Sequence, residues 1–257
     1  MRRIKLIVSY DGTDYCGWQV QPGKRTIEGE LNKALSSLLH EEIAVIGASR
    51  TDAGVHGLGN IAVFDTESRI PGEKFSYALN QRLPEDIVIQ ESSEVAADYH
   101  PRKCNSTKTY EYRIWNHPFP NPLNRRYATF VYTPLDVERM ERAAKFLEGE
   151  HDFTSFCSVA TQVENKVRTI YSADVKQEGR MITLRVQGSG FLYNMVRIIA
   201  GTLIKVGQGA LQPEQIPEIL AAMNRQAAGP TAPPEGLTLV EIAHTSAQLS
   251  SQPESVS

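Results

Sequence analysis

The chain has 257 residues, of which 41% are hydrophobic and 22% are charged, and its formal net charge is −3. These proportions are ordinary for a soluble globular protein, and the length allows one large core or two smaller ones. No stretch approaches the roughly 18–20 apolar residues of a membrane span, and the apolar run near Met1 is too short for a secretory signal. We therefore expect a cytoplasmic protein without a membrane partner.

The cysteines and histidines predict no metal site. The three cysteines are odd in number and widely separated, and neither a Cys-x-x-Cys motif nor a metal-ligand spacing of histidines occurs. The chain also lacks a glycine-rich dinucleotide motif and a Walker lysine motif. We expect no disulfide framework, no metal and no cofactor.

The first hundred residues predict the order strand, helix, strand, strand, helix, strand. Apolar side chains alternate from Ile4 to Tyr10, which indicates a half-buried strand. Thr26 is a good N-cap for the helix that follows. The remaining predicted elements of this half are the strands Ile43–Ala48 and Asn60–Phe64, a helix from Pro71 to Leu83, and the strand Ile87–Ile89.

A loop of ionisable residues joins two of these strands. Between short strands two to five residues would suffice, yet this connection contains Arg50, Asp52 and His56 together with two glycines. Glycines allow positive φ, so such a loop can present reacting groups from a rigid scaffold. The structural alternative is a surface turn in which Asp52 caps a backbone amide.

The negative net charge conceals a basic segment. Between Pro101 and Phe130 six residues are basic and one is acidic, and aromatic residues are interleaved with them. This combination suits phosphates and unstacked bases, although a solvated charged face with ordinary strand aromatics fits it equally well. The two interpretations differ in whether the segment borders the Asp52 loop. The basic residues taken as candidate RNA contacts are Arg102, Lys108, Arg125 and Arg126.

The second half repeats the order of the first. Its predicted elements are the strand Thr109–Trp115, a helix starting near Asp136, the hairpin strands Thr169–Lys176 and Met181–Gln187, the apolar helix Phe191–Val206, and the strand Leu239–Ile242. We therefore predict an α+β fold of two ferredoxin-like (split βαβ) halves, residues 1–100 and 101–245. Their strands would form one continuous antiparallel sheet with helices on one face and a central basic cleft. Residues 246–257 are predicted to be a disordered tail.

Two residues of the second half are candidates for chemistry. Arg197 lies in the middle of a helix that is apolar nearly all round, where an unpaired guanidinium would be costly. We expect it to pair with Asp52 and to lower the pKa of that carboxyl, although a path to solvent or a pair with Glu241 stays open. Tyr110 shares one face of its predicted strand with Tyr112 and Ile114. It is therefore either a core residue or an aromatic surface on which a flipped base stacks.

Taken together, these motifs resemble one family, the tRNA pseudouridine synthases of the A type. The blocks that carry the resemblance are Tyr10–Thr13, Gly17–Gln19, Arg50–Gly57, Lys108–Tyr110, Asp152–Phe153, Phe191–Gly201 and Ala232–Leu237. The resemblance covers about residues 3–244, and the blocks occur in the right order. Two positions depart from the family pattern: Ser49 replaces a usual Gly, and Glu28 a common Gln.

The resemblance implies an isomerase that converts uridine to pseudouridine at positions 38, 39 and 40 in the anticodon stem-loop of tRNA. It implies that Asp52 is the nucleophile, that Arg197 forms an ion pair with it, and that Tyr110 contacts the base and is a candidate proton acceptor. We also expect Arg50 and His56 to contact the substrate, and Leu192 and Met195 to form apolar walls around the base. The resemblance further implies a homodimer.

Two other functions stay open on the residues alone. A non-catalytic RNA-binding module would carry a basic-Gly-aromatic strand signature, which we do not find. A hydrolase with an aspartate nucleophile would need a cluster of metal-binding carboxylates beside Asp52, and none is evident in the sequence.

Overall fold

The structure is a computed structural model that describes residues 1–161 and 163–244. The predicted disordered tail at 246–257 lies outside the described residues. The fold is mixed α+β, and its contacts divide the described chain into two units. Unit 1 contains residues 1–107 and 241–244, and unit 2 contains Lys108–Val240.

Unit 1 follows the predicted order of elements. These are β1 (Arg2–Tyr10), α1 (Ile27–Leu39), β2 (Ile46–Gly47), β3 (His56–Thr66), α2 (Phe75–Asn80) and β4 (Ile87–Val95). Strand β1 lies between β3 and β4 and is antiparallel to both, while β2 pairs with β3. The order of elements matches the prediction, while the ferredoxin-like character of this half stays a prediction.

The core of unit 1 lies between β1 and α1. The inward side chains of β1, from Ile4 to Tyr10 at alternate positions, are buried with the apolar face of α1. The helix begins where Thr26 accepts a hydrogen bond from the N–H of Gly29, as its sequence predicts. Tyr10 therefore ends β1 with its ring inside the core.

Unit 2 contains most of the second half. Its elements are β5 (Ser106–Asn116, whose first two residues belong to unit 1), β6 (Thr129–Val131), α3 (Val137–Lys145), β7 (Gly149–Asp152), β8 (Val167–Glu178), β9 (Met181–Gly188), α4 (Met195–Gly207), α5 (Ile216–Ala221) and β10 (Leu237–His244, which ends in unit 1). Strand β9 lies between β5 and β8 and is antiparallel to both. Strand β7 pairs with β8, and β6 runs parallel to β5.

Four predicted elements have clearly different bounds in the structure. The apolar helix predicted from Phe191 begins only at Met195, because Asn194 has φ 61° and interrupts the helical backbone. The helix predicted from Pro71 to Leu83 is a short 3₁₀ turn followed by α2. The strand predicted before the Asp52 loop shrinks to β2, whereas β3 already begins at His56. No α-helix in the described ranges is long and apolar enough to cross a membrane.

Candidate active site

Asp52 lies in the connection between β2 and β3, and we call residues 48–55 the aspartate loop. The backbone on both sides of Asp52 is hydrogen-bonded to the segment that follows β1. The N–H of Trp18 donates to the carbonyl of Thr51 at 3.0 Å, and the N–H of Gly54 donates to the carbonyl of Tyr15 at 3.2 Å. The N–H of Val55 donates to the carbonyl of Asp52 itself at 3.2 Å, which closes a turn. The backbone of the loop is therefore fixed on both sides of Asp52.

Two glycines allow this close approach. A Cβ atom on Gly12 would lie 2.0 Å from the carbonyl oxygen of Val55. Gly17 has φ +86°, and a Cβ atom there would lie 2.7 Å from the carbonyl oxygen of Thr51. In the sequence, both glycines stand out only within the blocks of the family resemblance, and their role in this close approach was not predicted. The signal that could have predicted this contact is the pair of glycines after the first strand, in the same half of the chain as the aspartate loop.

The side chains of the aspartate loop differ in exposure. Asp52 is half-buried and Arg50 is exposed. The Nε–H of Arg102 donates to the carbonyl of Gly47 at 2.7 Å, so the start of the basic segment borders the strand that leads into the loop. Partial burial of the Arg102 guanidinium, and secondly the like charge of Arg50, lower the pKa of Arg102. Unit 1 thus brings two arginines close to the aspartate loop.

His56 is buried at the start of β3. Its Nδ1 lies 3.1 Å from the backbone nitrogen of Gly12, whose N–H donates to it. Oδ1 of Asp11 lies 3.2 Å from the same ring nitrogen. The ring is therefore held against the segment after β1 through the backbone of Gly12. This geometry favours an anchoring role for His56, and its contact with substrate stays a prediction.

In unit 2, Arg197 lies in the first turns of α4 and is hydrogen-bonded to residues 228–233, which we call the extended segment. Its Nε–H donates to the carbonyl of Ala232 at 2.8 Å, and one of its Nη1 hydrogens is donated to Oδ1 of Asn194 at 2.9 Å. The N–H of Ala232 in turn donates to the carbonyl of Arg197 at 3.0 Å. The bonds to Ala232 and Asn194 therefore orient the guanidinium, and the backbone bond between Ala232 and Arg197 holds the extended segment against α4.

The same extended segment packs closely on α4 and β5. A Cβ atom on Gly201 would lie 1.9 Å from the carbonyl oxygen of Pro230, so α4 can approach the segment only at a glycine. The hydroxyl of Tyr112 donates to the carbonyl of Pro233 at 2.8 Å. In the sequence, Ala232 stands out only within the block Ala232–Leu237 of the family resemblance, so its contact with Arg197 was not predicted.

Tyr110 and the predicted apolar walls are buried in unit 2. The ring of Tyr110 meets that of Phe191 edge to face, with centroids 5.1 Å apart. Leu192 and Met195 are both buried, and the N–H of Leu192 points to Sδ of Met195 at 3.5 Å. Tyr110 therefore lies next to the segment that precedes α4. Its burial suits a core residue, and its contact with a base stays a prediction.

The other predicted RNA contacts lie apart along the chain of unit 2. Lys108 is half-buried in β5, opposite Gly188 of β9. Arg125 is exposed and Arg126 is half-buried in the turn between β5 and β6. Across residues 1–161 and 163–244, no three His, Cys, Asp or Glu side chains are grouped so as to hold a metal ion. The pair of Asp52 with Arg197 joins residues of different units and stays a prediction.

Comparisons with known proteins identify the family. A family model described as tRNA pseudouridine synthase matches residues 6–102 and 143–244. The tRNA pseudouridine synthase A of Brevibacillus brevis is 49% identical over 244 residues, which cover 95% of this chain and 100% of that protein. The corresponding protein of Acetivibrio thermocellus is 48% identical over 242 residues, which cover 94% of this chain and 99% of that protein.

Among solved structures, a Cbf5–Nop10–Gar1 complex is similar over 78% of this chain and 54% of that chain, with 15% identity and a TM-score of 0.35, a likeness that supports no conclusion about the site. The family model, in contrast, matches more than half of the chain, and the two curated relatives are nearly half identical along almost their whole length. The chain therefore belongs to the tRNA pseudouridine synthase family. Asp52 and Arg197 lie within the matched ranges, whereas Tyr110 lies between them.

The hydrogen bond between His56 and Gly12 yields a test of the anchoring role. We expect His56→Leu to lower the free energy of unfolding by about 1–3 kcal/mol, because the buried N–H of Gly12 loses its acceptor. His56→Asn keeps an acceptor oxygen near the position of Nδ1 and should lose less. Urea unfolding of the two variants measures the difference. Equal losses would show that the ring contributes through packing alone.

Proposed function

We propose that this protein converts uridine to pseudouridine in tRNA, at positions 38, 39 and 40 of the anticodon stem-loop. The observation that carries the proposal is the anchored loop that presents Asp52 within a chain of the tRNA pseudouridine synthase family. The positions in tRNA come from the resemblance of the sequence motifs to the A-type enzymes. The reaction gains and loses no atoms, so it needs neither an energy donor nor a redox partner.

The reaction requires a nucleophile that stays in place. The bond between ribose carbon 1 and the uracil nitrogen breaks, the ring turns, and the same ribose carbon bonds to uracil carbon 5. We assign the nucleophile to Asp52, whose carboxylate can bond covalently to the ribose or to the base, or remove a sugar proton to give a glycal. The hydrogen bonds of Thr51 and Gly54 to the segment after β1 support this assignment, because they fix the backbone around Asp52.

The role proposed for Arg197 is to keep Asp52 ionised and oriented. An arginine beside a carboxylate favours its charged form and lowers its pKa. The bonds of Arg197 to Ala232 and Asn194 orient the guanidinium, and its five N–H donors give it the capacity to bind a carboxylate as well. A charge that is oriented before the reaction contributes more than one that must reorganise during it.

The remaining roles concern the base and the RNA. Reaching a stacked uridine requires flipping it, at a cost of a few kcal/mol that phosphate contacts offset. We assign Arg50 to the space that the flipped base leaves, and Tyr110 to the base itself and to the proton released from carbon 5. Leu192 and Met195 would form the apolar walls, and Lys108 together with Arg102 would bind phosphates. A homodimer completes the proposal and rests on the resemblance, whereas the expected cytoplasmic location rests on the composition and the cysteines of the chain.

Asp52→Asn should abolish the formation of pseudouridine while tRNA affinity stays within about tenfold, because the amide cannot act as the nucleophile but keeps the size of the side chain. The measurement is chromatography of nucleosides from unmodified tRNA digested after incubation with the enzyme. Asp98→Asn, an exposed aspartate in unit 1, is the control and should keep full activity. Unchanged uridine with the folded wild-type enzyme would refute the proposed function itself.

Arg197→Met should reduce kcat severely, by about 100-fold or more, with a modest loss of stability, because Asp52 loses its proposed ionic partner. Arg225→Met is the matched control, since Arg225 also donates to the extended segment, to the carbonyl of Gly229 at 2.8 Å. We expect a much smaller loss of kcat for this control. Similar kinetics for both variants would mean that Arg197 only holds the segment.

Replacing Arg125 and Arg126 by Gln should weaken tRNA binding and reduce the slope of log Kd against log salt by about 1–2, because two phosphate contacts are lost. Filter binding at several salt concentrations measures the slope. Lys176→Gln with Arg180→Gln removes the same charge from exposed positions at the β8–β9 hairpin and serves as the control. An unchanged slope for the Arg125 and Arg126 variant would move the RNA-binding surface elsewhere.

A further inference from the structure

A buried polar cluster lies behind the aspartate loop. It consists of Tyr10, Ser49, Thr51 and Asn60, whose relative exposures are 4%, 6%, 7% and 0%. Polar groups in such a position destabilise a fold unless they are hydrogen-bonded. The cluster joins the end of β1 and the middle of β3 to the two loop residues that flank Arg50.

The bonds of the cluster hold both the backbone and a side chain of the loop. The hydroxyls of Tyr10 and Thr51 are 2.8 Å apart. The amide group of Asn60 binds the backbone of Ser49 twice, since its Nδ2 donates to the carbonyl at 3.0 Å and its Oδ1 accepts from the N–H at 3.3 Å. Its Nδ2 also lies 3.5 Å from the Tyr10 hydroxyl oxygen, to which it donates. All four members are therefore connected.

The ring of Tyr10 cannot move away from this position. A Cβ atom on Gly57 would lie 2.6 Å from the ring, so β3 packs against the ring at a position that only a glycine can occupy without a clash. On another side the ring packs against Trp18, with centroids 5.8 Å apart. The N–H of Trp18 also donates to the carbonyl of Thr51. Thr51 is thus held through its side chain by Tyr10 and through its backbone by Trp18.

Burial alternates over residues 49–52 of the aspartate loop. Ser49 and Thr51 are buried, Arg50 is exposed, and Asp52 is half-buried. The buried residues act as anchors, and the residue after each anchor is presented outward. A shift of Thr51 would therefore be passed directly to the carboxylate of Asp52, which is one residue further along the chain. The cluster contributes no formal charge, so its effect is on geometry.

We propose that Tyr10, Thr51 and Asn60 are positioning residues that hold the carboxylate of Asp52 in its reactive place. This inference rests on the proposed function of Asp52. None of the three residues needs to touch the RNA. The competing explanation is a purely structural cluster, whose loss would lower stability without a specific effect on the chemical step.

The first test is Tyr10→Phe, which removes one hydroxyl and changes nothing else in size. We expect kcat for pseudouridine formation to fall about 3- to 10-fold, the range that corresponds to one hydrogen bond. KM and the Kd for tRNA should stay at the wild-type values, because the RNA-binding groups are unchanged. Wild-type kcat, or a loss confined to KM or Kd, would overturn the proposal.

Thr51 allows a conservative rescue. Thr51→Val keeps the shape of the side chain without its hydroxyl and should reduce kcat as Tyr10→Phe does. Thr51→Ser keeps the hydroxyl and should restore kcat to within about twofold of the wild type. A loss in the serine variant equal to that in the valine variant would count against positioning through this hydrogen bond.

Tyr99→Phe is the matched control. Its hydroxyl also forms a hydrogen bond in unit 1, a partly buried one to Nε2 of His244 at 2.7 Å, but its backbone contacts Arg3 at the opposite end of β1. We expect Tyr99→Phe to change the melting temperature without changing kcat. An equal loss of kcat in Tyr99→Phe and Tyr10→Phe would mean that general destabilisation explains both.

Hydrogen exchange separates this inference from the proposed function. The amides of Gly54 and Val55 should exchange faster in Tyr10→Phe than in the wild type, and at the wild-type rate in Tyr99→Phe. An inactive wild-type enzyme would refute the proposed function, while this readout still tests whether the cluster holds the loop. Unchanged exchange in Tyr10→Phe would overturn the positioning role whatever the activity.

Discussion

The site in unit 1 depends on one close backbone contact, between the segment after β1 and the aspartate loop. Gly12 and Gly17 allow the two segments to approach to a distance at which a side chain would clash with a carbonyl. The contact lets Trp18 and Tyr15 hydrogen-bond to the loop on either side of Asp52. Without it, the loop would lose the hydrogen bonds on either side of Asp52, and His56 would lose the N–H of Gly12.

In unit 2, Arg197 is fixed by similar contacts. Arg197 is held by the backbone of Ala232 and by Asn194, and Gly201 allows α4 to meet this segment. In both units a glycine permits a close approach, which fixes the backbone around Asp52 in unit 1 and the guanidinium of Arg197 in unit 2. Backbone groups are suitable anchors because they have no rotamers to lose when they are ordered. Such preorganisation is what electrostatic catalysis requires.

The sequence predicted the parts of the fold that local patterns determine. The alternation in β1 and the cap at Thr26 depend on neighbouring residues, and the structure confirms both. The start of α4 was predicted too early, because the apolar pattern of residues 191–194 does not record the positive φ of Asn194. The roles of Gly12 and Ala232 were missed for a different reason. They arise from contacts with residues far along the chain, which periodicity cannot reveal.

The proposed chemistry explains why the aspartate loop should be rigid while the base is mobile. Uracil must leave the ribose, turn and bond again, so the base moves between two bond-making events. In each of the three routes open to Asp52, the carboxylate must be correctly placed before or after that rotation. A loop that drifted with the base would lose this placement. Ser49 and Thr51 are buried on either side of the exposed Arg50, and this anchoring would keep Asp52, the proposed nucleophile, in place while the base turns.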